Sequence, residues 1–256
     1  MHLAVFGDVH GNLEMMYRYV RNWEQRQNIQ VSAILQTGDL GVFQWGGPLD
    51  KATTRYVRND PTELGCADYI VGKKEASHLT LFVRGNHEDF NFLMGAGNTH
   101  IDPSGSIRHL SSGEVFVIEK GKEIVKVSGL GGILNREGSA KENGKKYFTD
   151  KECDHLLRLE KGSVDILLFH EAPKGYGARG LSDTGADEVT LLIEHLQPHL
   201  AFYGHYGYPP EPFHIEKTLC VGMNNPDALR LPNRDGAMGI IDTGNWVFEF
   251  VREGEI

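Results

Sequence analysis

Five short apolar runs along the chain each give way to a carboxylate, amide or imidazole, four of them with a glycine alongside. The first, Leu3-Ala4-Val5-Phe6, is too short for a helix and is predicted as a buried strand that breaks into Gly7-Asp8-Val9-His10-Gly11-Asn12. Val31 to Thr37 closes in Gly38-Asp39-Leu40-Gly41, and Leu79 to Val83 in Arg84-Gly85-Asn86-His87-Glu88-Asp89. Val164 to Phe169 ends in His170-Glu171-Ala172-Pro173, and His199 to Tyr203 in Gly204-His205-Tyr206-Gly207.

The intervening segments carry other periods. Leu13, Met16, Tyr17, Val20 and Trp23, spaced by three and four, predict an amphipathic helix over residues 13–28. Thr149 or Asp150 reads as the N-cap of a helix running to about Lys161, and a further helix is expected from about Asp187 to Leu196. Glu114–Ile118 and Glu123–Val127, separated by Lys120-Gly121-Lys122, predict an antiparallel hairpin. The runs at 213–221, 237–241 and 246–251 read as a closing antiparallel meander. Between residues 42 and 77 the periodicity weakens into a loop with some helix. That segment follows the strand that delivers Asp39, so it is expected as an insertion at the rim of any site there, where substrate choice is set. Without a linker or an internal repeat, residues 1–256 read as one domain of the α/β class.

Composition narrows the setting. With 40% apolar and 24% charged residues the chain is an ordinary globular one. No run approaches the roughly 18 to 20 apolar residues of a membrane helix, and the N-terminus lacks the pattern of a signal peptide. Three widely spaced cysteines fit neither a disulfide framework nor a Cys-x-x-Cys zinc site, so a reducing, cytoplasmic location is expected. A net charge of −9 argues against a strong grip on nucleic acid, leaving a small phosphorylated or nucleotide-type molecule as the expected partner.

The strand ends supply the candidate chemistry. Helices follow most of these strands, which predicts parallel neighbours whose carboxyl ends lie along one edge, where open α/β sheets place their sites. Asp8, His10, Asp39, Asn86, His170 and His205 then converge as ligands, with Asp39 able to bridge two ions. Their mixed oxygen and nitrogen donors suit Mn, Fe, Co, Ni or Zn better than Ca. Two such ions can hold an attacking hydroxide and the oxygens of a phosphoryl group in line, which implies phosphoester hydrolysis. His87, beside the ligand Asn86, is the candidate general acid for the leaving group. Asn12, Arg136 in a polar loop after Gly131-Gly132, and Lys174 in the glycine-rich loop at 174–180 are candidate substrate contacts. Lys141, Lys145 and Lys146 read as a solvated loop, Trp45 as the anchor of a long one, and the seven remaining histidines before residue 200 as surface or structural groups.

These elements resemble the calcineurin-like metallophosphoesterase superfamily, whose motifs run Asp-x-His, Gly-Asp, Gly-Asn-His-Glu/Asp, His and Gly-His-x-His. Residues 8 to 207 present them in that order. The resemblance implies a four-layer αββα sandwich of two mixed sheets flanked by helices, and a phosphodiester or small phosphomonoester hydrolysed by a metal-bound hydroxide at a dinuclear site, with Mn the best-suited metal. Two departures stand out. After Gly38-Asp39 the protein Ser/Thr phosphatases continue Val-Asp-Arg-Gly, whereas this chain reads Leu40-Gly41-Val42-Phe43, so the acidic partner that would orient His87 is missing there. The Leu167 to Pro173 stretch looks more like bacterial phosphodiesterase-type members and, loosely, the lariat debranching enzymes. Gly207 occupies the place of the second histidine of Gly-His-x-His, so the Asp8/His10 site is expected to be the weaker one unless water or His214 completes it. The alternative reading, a catalytically weak or inactive metal-binding scaffold of the same fold, rests on Gly207 alone.

Overall fold

The computed structural model describes all residues except 96–98, 137–143, 179–180, 208, 225–235, 253 and 255–256. In chain order the elements are β1 (His2–Phe6), α1 (Leu13–Gln27), β2 (Val31–Gln36), α2 (Lys51–Val57), α3 (Cys66–Ile70), β3 (Thr80–Phe82), α4 (Phe90–Leu93), β4 (Ile107–His109), β5 (Phe116–Lys120) and β6 (Glu123–Leu130). They continue with α5 (Asp150–Leu157), β7 (Ile166–Phe169), α6 (Asp187–Leu196), β8 (Leu200–Tyr203), β9 (Phe213–Ile215), β10 (Thr218–Gly222), β11 (Met238–Asp242) and β12 (Val247–Phe250).

Alternation along the strands builds the layers. Leu3 and Val5 of β1, with Ala33 and Leu35 of β2, face one way and pack on Val125, Val127, Ile166, Leu168 and Phe202 of a second sheet. Ala4, Phe6 and Ile34 face the other way, against Leu13, Met16, Tyr17 and Val20 of α1. The outer face of the second sheet does the same with Leu167, Phe169 and Ala201, packed on Leu156 of α5 and Val189, Leu192 and Ile193 of α6. Helix, sheet, sheet and helix therefore stack as the expected four-layer sandwich. The sheets are β12-β11-β1-β2-β3-β4 and β5-β6-β7-β8-β10-β9. Both are mixed: β1 to β4 run parallel, as do β6, β7, β8 and β10, while β11, β12, β5 and β9 pair antiparallel.

Three details differ from the pattern along the chain. β4 is a polar three-residue strand without a legible period. α5 ends at Leu157, four residues short of Lys161, its start fixed by a capping box between Thr149 and Glu152. The closing strands form no single meander: β9 and β10 join the second sheet, with β10 parallel to β8, whereas β11 and β12 extend the first beside β1. Lys141 and the end of the 174–180 loop lie outside the described residues. Among the described residues no helix is long and apolar enough to cross a membrane.

Candidate metal centre

The parallel strands of both sheets end on one side of the molecule, and their following turns meet there. Asp8 and His10 follow β1, Asp39 follows β2, Asn86 and His87 follow β3, His170 follows β7, and His205 follows β8. Main-chain bonds lock the first two turns together, His10 N–H donating to Asp39 O at 2.8 Å and Gly11 N–H to Leu40 O at 2.8 Å. The buried side chain of Gln36 adds a brace, donating to Gly7 O at 2.9 Å and Gly38 O at 2.5 Å. Across the sheets, the His170 Nδ1–H donates to Thr37 O at 2.9 Å and the His205 N–H to Asp8 Oδ1 at 3.1 Å.

Close approach of backbone to ligand explains the recurring glycines. A Cβ at Gly85 would lie 2.0 Å from Asp39 Oδ1, one at Gly204 2.4 Å from Asp8 Oδ1, and one at Gly38 2.5 Å from His170 Nδ1. The ligand residues themselves bear strain: His10, Asp39 and His205 have φ of 46°, 53° and 67°. Such left-handed positions cost about 1 to 3 kcal/mol each in a non-glycine residue and concentrate at functional sites.

Asp8, His10 and Asp39 each present one donor atom within 4.8 Å of the other two. Asp39 is nearly buried; its Oδ1 accepts from the N–H groups of Asn86 and His87 at 2.6 and 2.7 Å, and its Oδ2 lies 3.4 Å from His170 Nε2. The same Nε2 is 2.9 Å from Asn86 Oδ1. His205 is brought alongside more loosely, its ring centroid 5.1 Å from that of His170. All six predicted ligand residues thus border one cluster.

The electrostatics fit a cation. Burial alone would raise the Asp39 carboxyl, yet the charge and hydrogen bond of His170 hold it far below the ordinary carboxylate range. Burial would likewise lower His170, but Asp39 and then Asp8 push it well up, so the imidazole keeps a proton between two carboxylates. Two carboxylates that recruit a proton in this way have the donor chemistry and the charge deficit a divalent ion satisfies.

His87 does not join that group. Its ring is 5.7 Å from His10, and its Nδ1 is 3.1 Å from Asp50 Oδ2. The missing acidic partner is therefore present, supplied by the rim segment rather than by the residues after Asp39. Asp50 is the N-cap of α2, its Oδ1 accepting from Ala52 N–H at 2.8 Å and Thr53 N–H at 2.9 Å. Although burial opposes its charge, the hydrogen bond to His87 lowers Asp50 to about 2. Burial pulls His87 down, and the Asp50 hydrogen bond with the Asp39 and Asp50 charges more than offsets it, so its pKa is raised. Asp before a helix signals a cap in any sequence; nothing local says its second oxygen faces a histidine 37 positions away.

Two other carboxylates were not legible. Glu88 is buried, accepting from Leu40 N–H at 3.0 Å and Val42 N–H at 2.5 Å, and thereby clamps the turn that carries Asp39. Burial and the Asp39 charge push it up to about 8. Glu171 accepts from the Tyr206 hydroxyl at 2.7 Å, and that hydroxyl accepts from Gly185 N–H at 3.2 Å.

The candidate substrate contacts divide. Asn12 caps α1, its Oδ1 accepting from Met15 N–H at 3.4 Å. Arg136 donates to the carbonyls of Asp183 and Gly185 at 3.2 and 2.8 Å, and Lys174 pairs with Asp183 Oδ1 at 2.9 Å, so both attach to the turn beside Tyr206. A Cβ at Gly207 would meet no atom within 4 Å, and the backbone there has no positive φ. His214 is exposed on the edge strand β9 and stands outside the Asp8, His10 and Asp39 group.

Comparison with known proteins agrees with this architecture. The model of the calcineurin-like phosphoesterase family matches residues 1–208. A lariat debranching enzyme of Entamoeba histolytica is 33% identical over 194 residues, covering 70% of this chain and 52% of its own length. One from Arabidopsis thaliana is 24% identical, covering 80% and 54% respectively, so the chain spans about half the length of these curated relatives. A Thermus thermophilus protein of solved structure superposes with a TM-score of 0.59 at 17% identity, covering 98% of both chains, and shares the fold. A family match across four-fifths of the chain, on a sandwich whose strand ends carry the motifs in order with Gly207 in place of the last histidine, places the protein in the calcineurin-like phosphoesterase family.

Proposed function

We propose that the protein is a metal-dependent phosphodiesterase with a dinuclear centre, in which Asp8, His10 and Asp39 hold one ion and Asp39, Asn86, His170 and His205 the other. The observation that carries this reading is the pairing of the ligand cluster with His87, which lies beside it but is committed to Asp50. Bound divalent ions supply Lewis-acid neutralisation of phosphoryl oxygens and lower the pKa of water from about 15.7 towards 7. The protein's own part is to place and protonate. Asp50 holds Nδ1–H of His87, leaving Nε2 for the leaving oxygen as a general acid, and against the opposing effect of burial the same hydrogen bond raises the His87 pKa. Asp39 Oδ1 accepts from two main-chain N–H groups, which favours its ionised form and keeps it available as the bridging carboxylate.

The donor set favours Mn or a similar transition ion. A diester is favoured over a protein phosphomonoester, because the Val-Asp-Arg-Gly run of the protein phosphatases is absent. The name of the curated relatives adds a lariat to the substrates worth testing. Retention of all six ligands and of the Asp50–His87 pair supports an enzyme rather than an inactive scaffold.

The test is a screen of Mn²⁺-loaded protein against bis-p-nitrophenyl phosphate, p-nitrophenyl phosphate, 2′,3′- and 3′,5′-cyclic nucleotides and a branched lariat. Diester hydrolysis that a chelator abolishes is expected. Hydrolysis that survives exhaustive chelation, or none on any diester, would overturn the proposal.

A further inference from the structure

The rim segment contributes a second carboxylate to the site. Glu63 belongs to a 3-10 turn, Pro61–Leu64, and its Oε2 lies 3.8 Å from His10 Nδ1, with both side chains 18% exposed. Main chain sets this placement. Gly11 has φ +78°, and a Cβ there would lie 2.2 Å from Glu63 O, while one at Gly65 would lie 2.6 Å from Gly11 O. The turn is itself started by Asp60, whose side chain accepts from Thr62 N–H at 2.9 Å. The backbone of residues 62–65 therefore rests on the His10–Gly11 turn whatever side chain stands at 63.

We propose that Glu63 is a positioning residue for His10, accepting a hydrogen bond from its Nδ1–H so that Nε2 faces the ion shared with Asp8 and Asp39; the inference rests on the metal-centre reading above. Two neighbouring histidines follow the same rule. His170 gives Nδ1 to Thr37 O at 2.9 Å, and His87 gives Nδ1 to Asp50 Oδ2 at 3.1 Å. A histidine ligand is held in one tautomer and orientation by the bond its other nitrogen makes. The separation of 3.8 Å exceeds a hydrogen bond and closes with a small rotation of the flexible glutamate chain. Gly207 gives this rotation its weight: with one imidazole lost from the family motif, the first ion depends on the correct presentation of His10.

The test uses the intact protein, metal-free and Mn²⁺-titrated, without substrate. In ¹⁵N spectra of the metal-free protein, His10, assigned by its loss in His10→Gln, is expected as the Nδ1–H tautomer in wild type and to shift towards Nε2–H in Glu63→Ala. Calorimetric Mn²⁺ titration should show the weaker site weakened further, by roughly 10- to 100-fold in Glu63→Ala. Glu63→Gln, whose amide oxygen still accepts a hydrogen bond, should fall between the two and guards against a misfolded alanine variant. An unchanged tautomer would overturn the proposal, even with weaker Mn²⁺ binding, since Glu63 would then act as a direct ligand. Unchanged affinity in both variants would overturn it as well. Because neither readout involves turnover, a protein without diesterase activity would defeat the proposed function and leave this assignment standing.

Discussion

Asp50 and His87 form the pair whose removal is expected to separate the proposed proton transfer from metal binding. His87→Ala is expected to leave metal content intact and lower kcat by roughly 10² to 10⁴. Asp50→Asn should cost about 10²-fold, the lower end of that range, because the imidazole remains but loses its anchor. The pH profile gives the sharper sign. Asp50 raises the His87 pKa, and a general acid works while protonated, so activity falls as pH rises through that value. Asp50→Asn should move this alkaline limb to lower pH; a limb that stays in place would remove His87 from the acid role. Gly207 offers a second residue-scale test. Its Cβ position is open and its φ needs no glycine, so Gly207→His should fold normally and bind the weaker Mn²⁺ more tightly. Metal titration of wild type and variant decides this, equal affinities meaning that the vacancy is already filled.

At the scale of elements, the ligand turns are held by pieces that carry no ligand. Arg84, between β3 and Asn86, is almost fully buried and makes a bidentate pair with Glu152 of α5 at 2.7 and 3.1 Å. Its carbonyl accepts from Gly132 N–H at 2.8 Å, tying the end of β3 in the first sheet to that of β6 in the second. Glu152 also closes the capping box of α5. Glu152→Gln leaves the guanidinium without a counter-charge and is expected to destabilise by about 3 kcal/mol, near the lower end for a broken buried pair. The sign with pH follows. Burial would raise Glu152, but Arg84 holds it below the ordinary value, so its contribution is complete above the unfolded pKa of about 4.3 and lost as pH falls through the folded one. Chemical denaturation of both proteins should therefore show a gap at pH 7 that narrows below about pH 4.

Taken whole, the site is a staple between two sheets. Asp8, His10, Asp39 and Asn86 come from the first sheet and His170 and His205 from the second, so an ion held among them as proposed would bond the two layers together. A ligand that binds only the folded state adds about 2.7 kcal/mol at 100 times its Kd. At about 2 to 4 °C per kcal/mol for a chain of this size, Mn²⁺ should raise Tm by roughly 5 to 11 °C and a chelator should reverse it. Calorimetry across a Mn²⁺ series checks this, and a Tm indifferent to metal would deny that the ion bridges the layers.

The amino-acid sequence by itself determined the local chemistry: strands that stop at glycine, the ligand types after them, α1, α6 and, to within one residue, the start of α5, because each is written in contiguous residues whose period or cap is a short-range preference. The family motif order followed from the same runs. Tertiary structure alone decided which distant groups meet. Asp50 serves His87 and Glu63 approaches His10 because the path of a loop with weak periodicity folds back over the turns after β1 and β3. The sheet assignment of β9 to β12 was decided there too, since short strands of alternating pattern pair equally well on paper and only the available edges, beside β8 and beside β1, distinguish them. Local preferences act over a few residues, whereas partner choice depends on which surfaces and orphan polar groups the packed layers leave open.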